Sequence, residues 1–376
     1  MNIAEMADLL PHCGAKFEIT HLIHDQKMTP AGSSRKSLAI RLLVVLFVLL
    51  GLATAAFFYF DGARRIAIAS APVKTAKFIE GDKAKAAAEE LFWETLRAGN
   101  YAGIGEAMTL LKASYLENPN DPEVALHIAL THLWRVAERF RLGEDMRPSV
   151  TDDMVLARKY FEEAKRLNPE DHRIDGWLAG AMMGEGHIHG DQRLTREGYF
   201  VGRRGVENYP AFNLFSLSFV MANQPHDSPR FAEAVEGLFE SMDIANHAVV
   251  DRSNPTIAND LEVRESEGDA DTLRAVTNTW KAPFNAEGFF LVLGDFLVKK
   301  GDRKAAEIVY KNAQFKQTYQ AWPYRHLLEK RLKEIDQNVA RFRDFNPTPE
   351  ALMEDGVVDR TVIFNTYGCA ICHQAK

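Results

Sequence analysis

Two stretches of this chain carry the same helical spacing followed by the same helix-ending signal. Each has a small residue, a bulky residue four positions later and a second small residue three positions after that, and Asn-Pro follows at the same offset. The matched positions are Ala107, Leu111, Ser114, Asn118 and Pro119 in the first stretch and Ala157, Phe161, Ala164, Asn168 and Pro169 in the second. Small side chains let two helices approach closely, and proline ends a helix. Because one such unit cannot bury its own apolar face, the pattern predicts an all-α fold of stacked helical units.

The helical pattern extends over most of the chain. Between residues 82 and 341, apolar residues recur at three- and four-residue spacing, and the alternating Val, Ile and Thr runs that indicate strands are scarce. We predict a helical repeat domain over 82–341, preceded by a linker over 61–81. The tryptophans of this region are expected to pack in the core or between helical hairpins.

A third stretch completes a recognisable pattern. It has a bulky-x-x-Leu-Gly first helix, a turn glycine and an Ala-x-x-x-aromatic-x-x-Ala second helix, at Phe290, Leu293, Gly294, Gly301, Ala306, Tyr310 and Ala313. This pattern resembles the tetratricopeptide (TPR) repeat. The two Asn-Pro signals lie 50 residues apart rather than about 34, so an insertion is expected, and residues 141–153 are the best place for it. The resemblance implies an α-solenoid that binds proteins or peptides.

An uninterrupted apolar run lies near the N-terminus. Residues 42–60 contain 19 residues without a charge, enough at about 1.5 Å per residue to span a bilayer core of roughly 30 Å. A buried helix of a soluble domain would carry a polar face. A cleaved signal peptide would have a shorter apolar core, although Ala67-Ile68-Ala69 resembles a cleavage site. We therefore predict a transmembrane anchor over 38–60.

A short tail over residues 1–37 precedes the anchor. It contains three histidines and a thiol at His12, Cys13, His21 and His24. Their spacing fits no common metal-site pattern, so we expect a plain cytoplasmic tail. Basic residues lie on both sides of the anchor, so they leave its orientation open.

The motif Cys369-Ala370-Ile371-Cys372-His373 carries the chemistry of this chain. It is the C-x-x-C-H signature of covalent c-type haem attachment. Two thiols three residues apart on a helical turn can each add to a vinyl group of one porphyrin, and the adjacent imidazole can then bind the iron. We predict one covalent haem c on Cys369 and Cys372, with His373 as the proximal ligand.

Two other interpretations of the cysteine pair fit the sequence less well. A thioredoxin-like dithiol usually opens a helix after a strand, within a βαβ pattern, which the sequence lacks. A zinc site needs further good ligands and usually a second cysteine pair. The chain has three cysteines in all, so a disulfide-stapled scaffold is excluded.

The residues before the motif resemble two kinds of cytochrome. Residues 357–374 look like the first helix of a class I cytochrome c, but only three residues follow His373. Either the protein continues beyond this sequence, or preceding residues or a partner build the haem pocket. The second resemblance is to the multihaem cytochrome subunit of photosynthetic reaction centres, which places a Met on the helix before each motif. Here Met353 lies 16 residues before Cys369, in a segment over 349–355 that could start a helix. That likeness makes Met353 a candidate sixth ligand, and a plain core Met is the alternative. His326, a partner's ligand or an open site are the other options for the sixth position.

Composition and motif together give a functional expectation. The net charge of −7 and the absence of a basic stripe argue against a nucleic-acid partner. Haem is attached to such motifs outside the cytoplasmic membrane, so we expect a single-pass protein of the bacterial inner membrane with a cytoplasmic N-terminus and a periplasmic bulk. We expect an electron-transfer cytochrome subunit rather than an enzyme, whose TPR domain docks partner proteins of a redox complex. The alternative is a TPR docking or assembly protein without a redox role.

Overall fold

The computed structural model describes residues 35–59, 83–139, 149–266, 268, 272–343 and 368–375. The fold is all-α, and no strand occurs within those ranges. The helices are α1 (Arg35–Tyr59), α2 (Lys83–Arg97), α3 (Ile104–Glu117), α4 (Pro122–Ala137), α5 (Ser149–Leu167), α6 (Arg173–His189), α7 (Gln192–Asn208), α8 (Pro210–Val220), α9 (Pro229–Asn246), α10 (Ala258–Ser266), α11 (Asn285–Lys300), α12 (Arg303–Asn312), α13 (Arg325–Lys333), α14 (Ile335–Arg343) and α15 (Ala370–His373).

The chain divides after Val73 into two units, and α1 belongs to the first. Within α1, the 19 residues Ala39–Phe57 have a mean hydropathy of 2.5, so this helix is long and apolar enough to cross a membrane. Their apolar side chains are exposed. The helix begins at Arg35, earlier than the predicted anchor over 38–60, because Lys and Arg are themselves good helix formers.

In the second unit, residues 74–376, successive helices pack in pairs. The pairs with extensive contact are α2 with α3, α4 with α5, α6 with α7, α8 with α9 and α11 with α12. Neighbouring pairs also touch, since α3 packs on α4, α5 on α6 and α7 on α8. The apolar faces of the pairs are therefore buried against one another, as stacking requires.

The Asn-Pro signal ends one helix and a nearby Asp begins the next. After α3 ends at Glu117, Asp121 caps α4 by accepting hydrogen bonds from the backbone N–H groups of Glu123 and Val124. Pro122 occupies the first turn of α4, where its missing N–H has no intrahelical role. The sequence signal thus encodes the whole turn between one helix pair and the next.

The residues of the repeated pattern lie in the core. Ala157, Phe161 and Ala164 on α5 are each 0% exposed, as are Ala306 and Tyr310 on α12. Small residues at these positions bring the helices together, and the aromatic rings fill the interior.

A buried ionic network ties α11, α12 and α13 together. The Asp295 carboxylate accepts a hydrogen bond from the Tyr310 hydroxyl at 2.6 Å and one from Arg331 Nε at 3.2 Å. All three side chains are 0% exposed. Burial, followed by the charge of Asp295, raises the pKa of Tyr310 well above its usual value. The phenol therefore stays protonated and donates to the carboxylate.

Candidate functional site

The C-x-x-C-H motif forms one helical turn that belongs to the second unit. The backbone N–H groups of Cys372 and His373 donate to the Cys369 carbonyl, at 3.3 and 3.1 Å. Ala370 and Ile371, between the cysteines, are 0% and 1% exposed. The motif of the predicted tail over 342–376 therefore packs into the helical domain rather than extending from it.

A carboxylate from α4's C-terminal end anchors the start of this turn. Glu138 is 0% exposed, and its Oε1 accepts hydrogen bonds from the backbone N–H groups of Cys369 at 2.9 Å and Ala370 at 2.8 Å. Those amides have no partner within a helix that starts there. A negative charge at a helix N-terminus is also favourable. Glu138 thus joins the motif to a helix 231 residues earlier in the chain.

Three further hydrogen bonds hold the remainder of the motif. Trp322 Nε1 donates to the Ile371 carbonyl at 2.9 Å. The backbone N–H of Phe284, just before α11, donates to the Cys372 carbonyl at 3.1 Å, and that of Ala375 donates to the Arg97 carbonyl at 2.6 Å. The motif is therefore fixed between α2 on one side and α11 on the other.

The two cysteines contact different parts of the core. Cys369 packs against the cluster formed by α2, α3 and α4, which includes Phe92 and Trp134. Cys372 packs against the large cluster around α11. Both are free thiols and both are partly exposed.

Burial controls the chemistry of the Cys372 thiol. It raises the pKa from 9.0 to about 12, with a further contribution from the nearby Glu287 carboxylate. The thiol is therefore protonated at neutral pH. Because thiol–disulfide exchange requires a thiolate, Cys372 is a poor partner for a redox dithiol.

Glycine at position 288 makes room for the motif. A Cβ placed on Gly288 of α11 would lie 2.2 Å from Cys372 Sγ and 3.2 Å from Ile371 Cγ2. A side chain there is incompatible with the packed motif, because Cβ contacts below 3.0 Å force the neighbouring atoms to shift.

Replacing Gly288 with alanine should displace the motif from α11. We expect the free energy of unfolding to fall by about 1–3 kcal/mol, the usual result of overpacking a core. Chemical denaturation measures this change, and hydrogen exchange at Cys372 reports on the motif itself. The matched control is Gly105→Ala on α3, whose Cβ would meet no atom within 4 Å. Equal stability of the two variants would contradict the close packing at Gly288.

The imidazole of His373 is held in one orientation by the loop before α11. Its Nδ1 lies 2.7 Å from the Lys281 carbonyl oxygen, an acceptor only, so Nδ1 carries the hydrogen and Nε2 presents a lone pair. Burial lowers the pKa of His373, against the opposing effect of the Lys281 carbonyl. The ring is therefore neutral near pH 7, as metal ligation requires.

These residues fit a covalently attached porphyrin. Two reduced thiols lie on one helical turn, and the neighbouring neutral imidazole has its Nδ1 fixed by a backbone carbonyl. A histidine that binds a metal through one ring nitrogen commonly donates a hydrogen bond from the other, and a backbone carbonyl is one of the usual acceptors. Within the ranges that the structure describes, no group of three or more His, Cys, Asp or Glu residues could hold a metal ion.

A cluster of aromatic and basic side chains lies on one side of the imidazole, with Trp93 next to it. The Trp93 ring of α2 lies 6.5 Å from the His373 ring and 5.9 Å from the Trp280 ring. The Arg97 guanidinium lies over Trp280 at 5.2 Å, and Lys281 Nζ lies over Trp93 at 5.1 Å. Trp280 is 58% exposed. The expectation that the tryptophans pack in the core or between hairpins is therefore wrong for Trp280, because this ring lies beside Trp93 and Arg97 at the surface.

Of the two candidate sixth ligands in this chain, only His326 lies among the described residues. Met353 lies outside the described residues, as do the N-terminal histidines and Cys13. His326 is exposed on α13, and its Nδ1 lies 3.0 Å from the Pro323 carbonyl oxygen. Neighbouring Tyr324 donates a hydrogen bond to Gln374 Oε1 at 2.7 Å, so α13 begins close to the end of the motif.

The sequence predicts the motif but not the residues that position it. Four groups position the motif, and each lies far from it along the chain and outside any recognised pattern. They are the side chains of Glu138 and Trp322, the backbone at Gly288 and the carbonyl group of Lys281. Comparison of the chain with family models, curated proteins and solved structures finds no match.

Proposed function

We propose that this protein is a membrane-anchored monohaem c-type cytochrome subunit that transfers electrons, with haem c bound through Cys369 and Cys372 and ligated by His373. The C-x-x-C-H spacing, together with the neutral His373 ring held at Nδ1 by the Lys281 carbonyl, is the observation that carries the proposal. When bound, the haem would supply an iron that accepts and releases one electron.

The chain's own residues would bind, orient and shield this group. The thiols of Cys369 and Cys372 would form the thioether links, and His373 Nε2 would bind the iron. Lys281 fixes the imidazole, and Glu138 fixes the start of the turn. Met353, by resemblance, is the candidate for the sixth position.

The rest of the molecule would place this centre near its partners. Helix α1 would anchor the chain in the bacterial inner membrane with the N-terminus in the cytoplasm and the second unit in the periplasm, the side on which haem is attached. The paired helices, which resemble TPR units, would dock protein partners of a redox complex. In this account the protein is a carrier and scaffold rather than an enzyme.

A docking or assembly protein without a redox role is the second candidate. It is favoured by the packing of the cysteines, since each thiol contacts an apolar cluster of the helical domain. In that case the motif would have a purely structural role, packing between α2 and α11.

A reduced-minus-oxidised absorption spectrum distinguishes the two candidates. We expect the chain produced with haem-attachment machinery to be red and to show the bands of a c-type haem. His373→Ala should lose the wild-type spectrum, because the iron loses its axial ligand. His189→Ala, at the exposed end of α6, is the matched control and should keep it. A colourless wild-type protein would favour the docking protein.

A further inference from the structure

Two cations beside the motif lack carboxylate partners. Arg97 and Lys281 form no ion pair with any residue in the ranges that the structure describes, and Arg97 Nε is buried without a hydrogen-bond partner there. Most of the arginines that the structure describes in the second unit form at least one ion pair. Arg158 and Arg252, for example, each bind two carboxylates. Leaving a buried guanidinium nitrogen unpaired is unfavourable unless something else binds it.

The side chains of Arg97 and Lys281 both lie over indole rings near His373. Arg97 lies on Trp280 and Lys281 lies on Trp93, and the two rings are neighbours. Trp93 in turn lies beside the His373 imidazole. Lys281 contacts both His373 and Trp93. Its carbonyl oxygen accepts a hydrogen bond from His373 Nδ1, and its ammonium group lies over the Trp93 ring.

This arrangement matches the chemistry of one class of ligand. A flat aromatic molecule with carboxylate groups would gain apolar contact from the indoles and charge-assisted hydrogen bonds from the cations. Haem has that chemistry, with an apolar ring and two propionates. The exposed face of Trp280 would then be covered.

We propose that Trp93, Arg97, Trp280 and Lys281 form the haem seat, in which the indoles contact the porphyrin and the two cations neutralise its propionates. This inference rests on the proposed function, because it requires haem on the cysteines. The pocket is made by α2 and the loop before α11, far earlier in the chain.

The charges of the seat should raise the reduction potential of the haem. Positive charge near the iron disfavours the ferric state, which carries one more positive charge than the ferrous state. Removing both cations should therefore lower the potential. We expect the equilibrium constant for one-electron reduction to fall roughly tenfold, which corresponds to about 59 mV.

Spectroelectrochemical titration of the full-length, haem-loaded protein tests the seat. The variants are Arg97→Gln, Lys281→Gln and the double variant, with Arg196→Gln at an exposed position of α7 as the charge-matched control. Lys281 is exposed in a loop, so its single variant should fold even if Arg97→Gln does not. Haem staining of a denaturing gel, run on every sample, reports covalent attachment independently of the potential.

The outcomes separate this inference from the proposed function. A lower potential in the seat variants, with an unchanged potential in Arg196→Gln, supports the seat. Haem attached in every variant with one common potential would overturn the seat and leave the cytochrome proposal standing. A wild-type protein without haem would overturn both.

Discussion

Replacing Asp295 with alanine should lower the free energy of unfolding by about 3–5 kcal/mol, because the change removes a carboxylate that binds the fully buried Arg331 guanidinium. It also removes the acceptor of the Tyr310 hydroxyl. A loss of this size is a large fraction of the stability of an ordinary domain. Guanidinium-induced unfolding of the wild-type and variant chains, followed by circular dichroism, measures it.

The control for this substitution is a carboxylate at the surface. Asp336 binds Arg303 across an exposed ion pair, in which the aspartate side chain is 76% exposed. Solvent screens such pairs, so Asp336→Ala should change stability little. If the two alanine variants unfolded at the same denaturant concentration, the buried network of α11, α12 and α13 would not have the role given to it here.

Replacing Glu138 with alanine should release the C-terminal motif from α4. The change removes the carboxylate that accepts hydrogen bonds from the N–H groups of Cys369 and Ala370, and hydrogen bonds to a charged group contribute about 1.5–3 kcal/mol each. We expect a loss of about 3 kcal/mol in the stability of the motif. Hydrogen exchange at residues 369 and 370 should accelerate correspondingly, and mass spectrometry of the C-terminal peptide measures that rate.

Glu138→Gln is the conservative counterpart. It keeps an acceptor oxygen at the same position and removes only the charge, so exchange should accelerate less than in the alanine variant. Unaltered exchange in Glu138→Ala would mean that the motif is held without this carboxylate.

Local patterns predicted much of the fold. The helical spacing and the Asn-Pro signals were enough to predict the paired helices, because those features act within a few residues of one another. The apolar run gave the position of α1 for the same reason.

The sequence contains a further local signal, of close helix packing. Three glycines share one face of α7, and a Cβ on each would clash with side chains of α6 or α8; they are Gly198, Gly202 and Gly205. Small residues at that spacing allow the close packing of α6 and α7.

The surroundings of the motif were not predictable in this way. Glu138 follows α4 among ordinary charged residues, and nothing near it indicates a buried carboxylate. Its role depends on a contact across 231 residues. Trp280 and Lys281 likewise acquire their neighbours only when the loop before α11 meets α2. The motif itself is visible in five consecutive residues, whereas the residues that contact it come together only in the folded chain.

Covalent haem attachment can be tested by measuring the intact mass of the denatured protein, produced with haem-attachment machinery. We expect the wild-type chain to carry the added mass of one haem, which survives denaturation and locates to the peptide containing Cys369 and Cys372. The variant Cys369→Ala/Cys372→Ala should carry none. An unmodified wild-type mass, or an equal haem content in the double variant, would contradict covalent attachment at this motif.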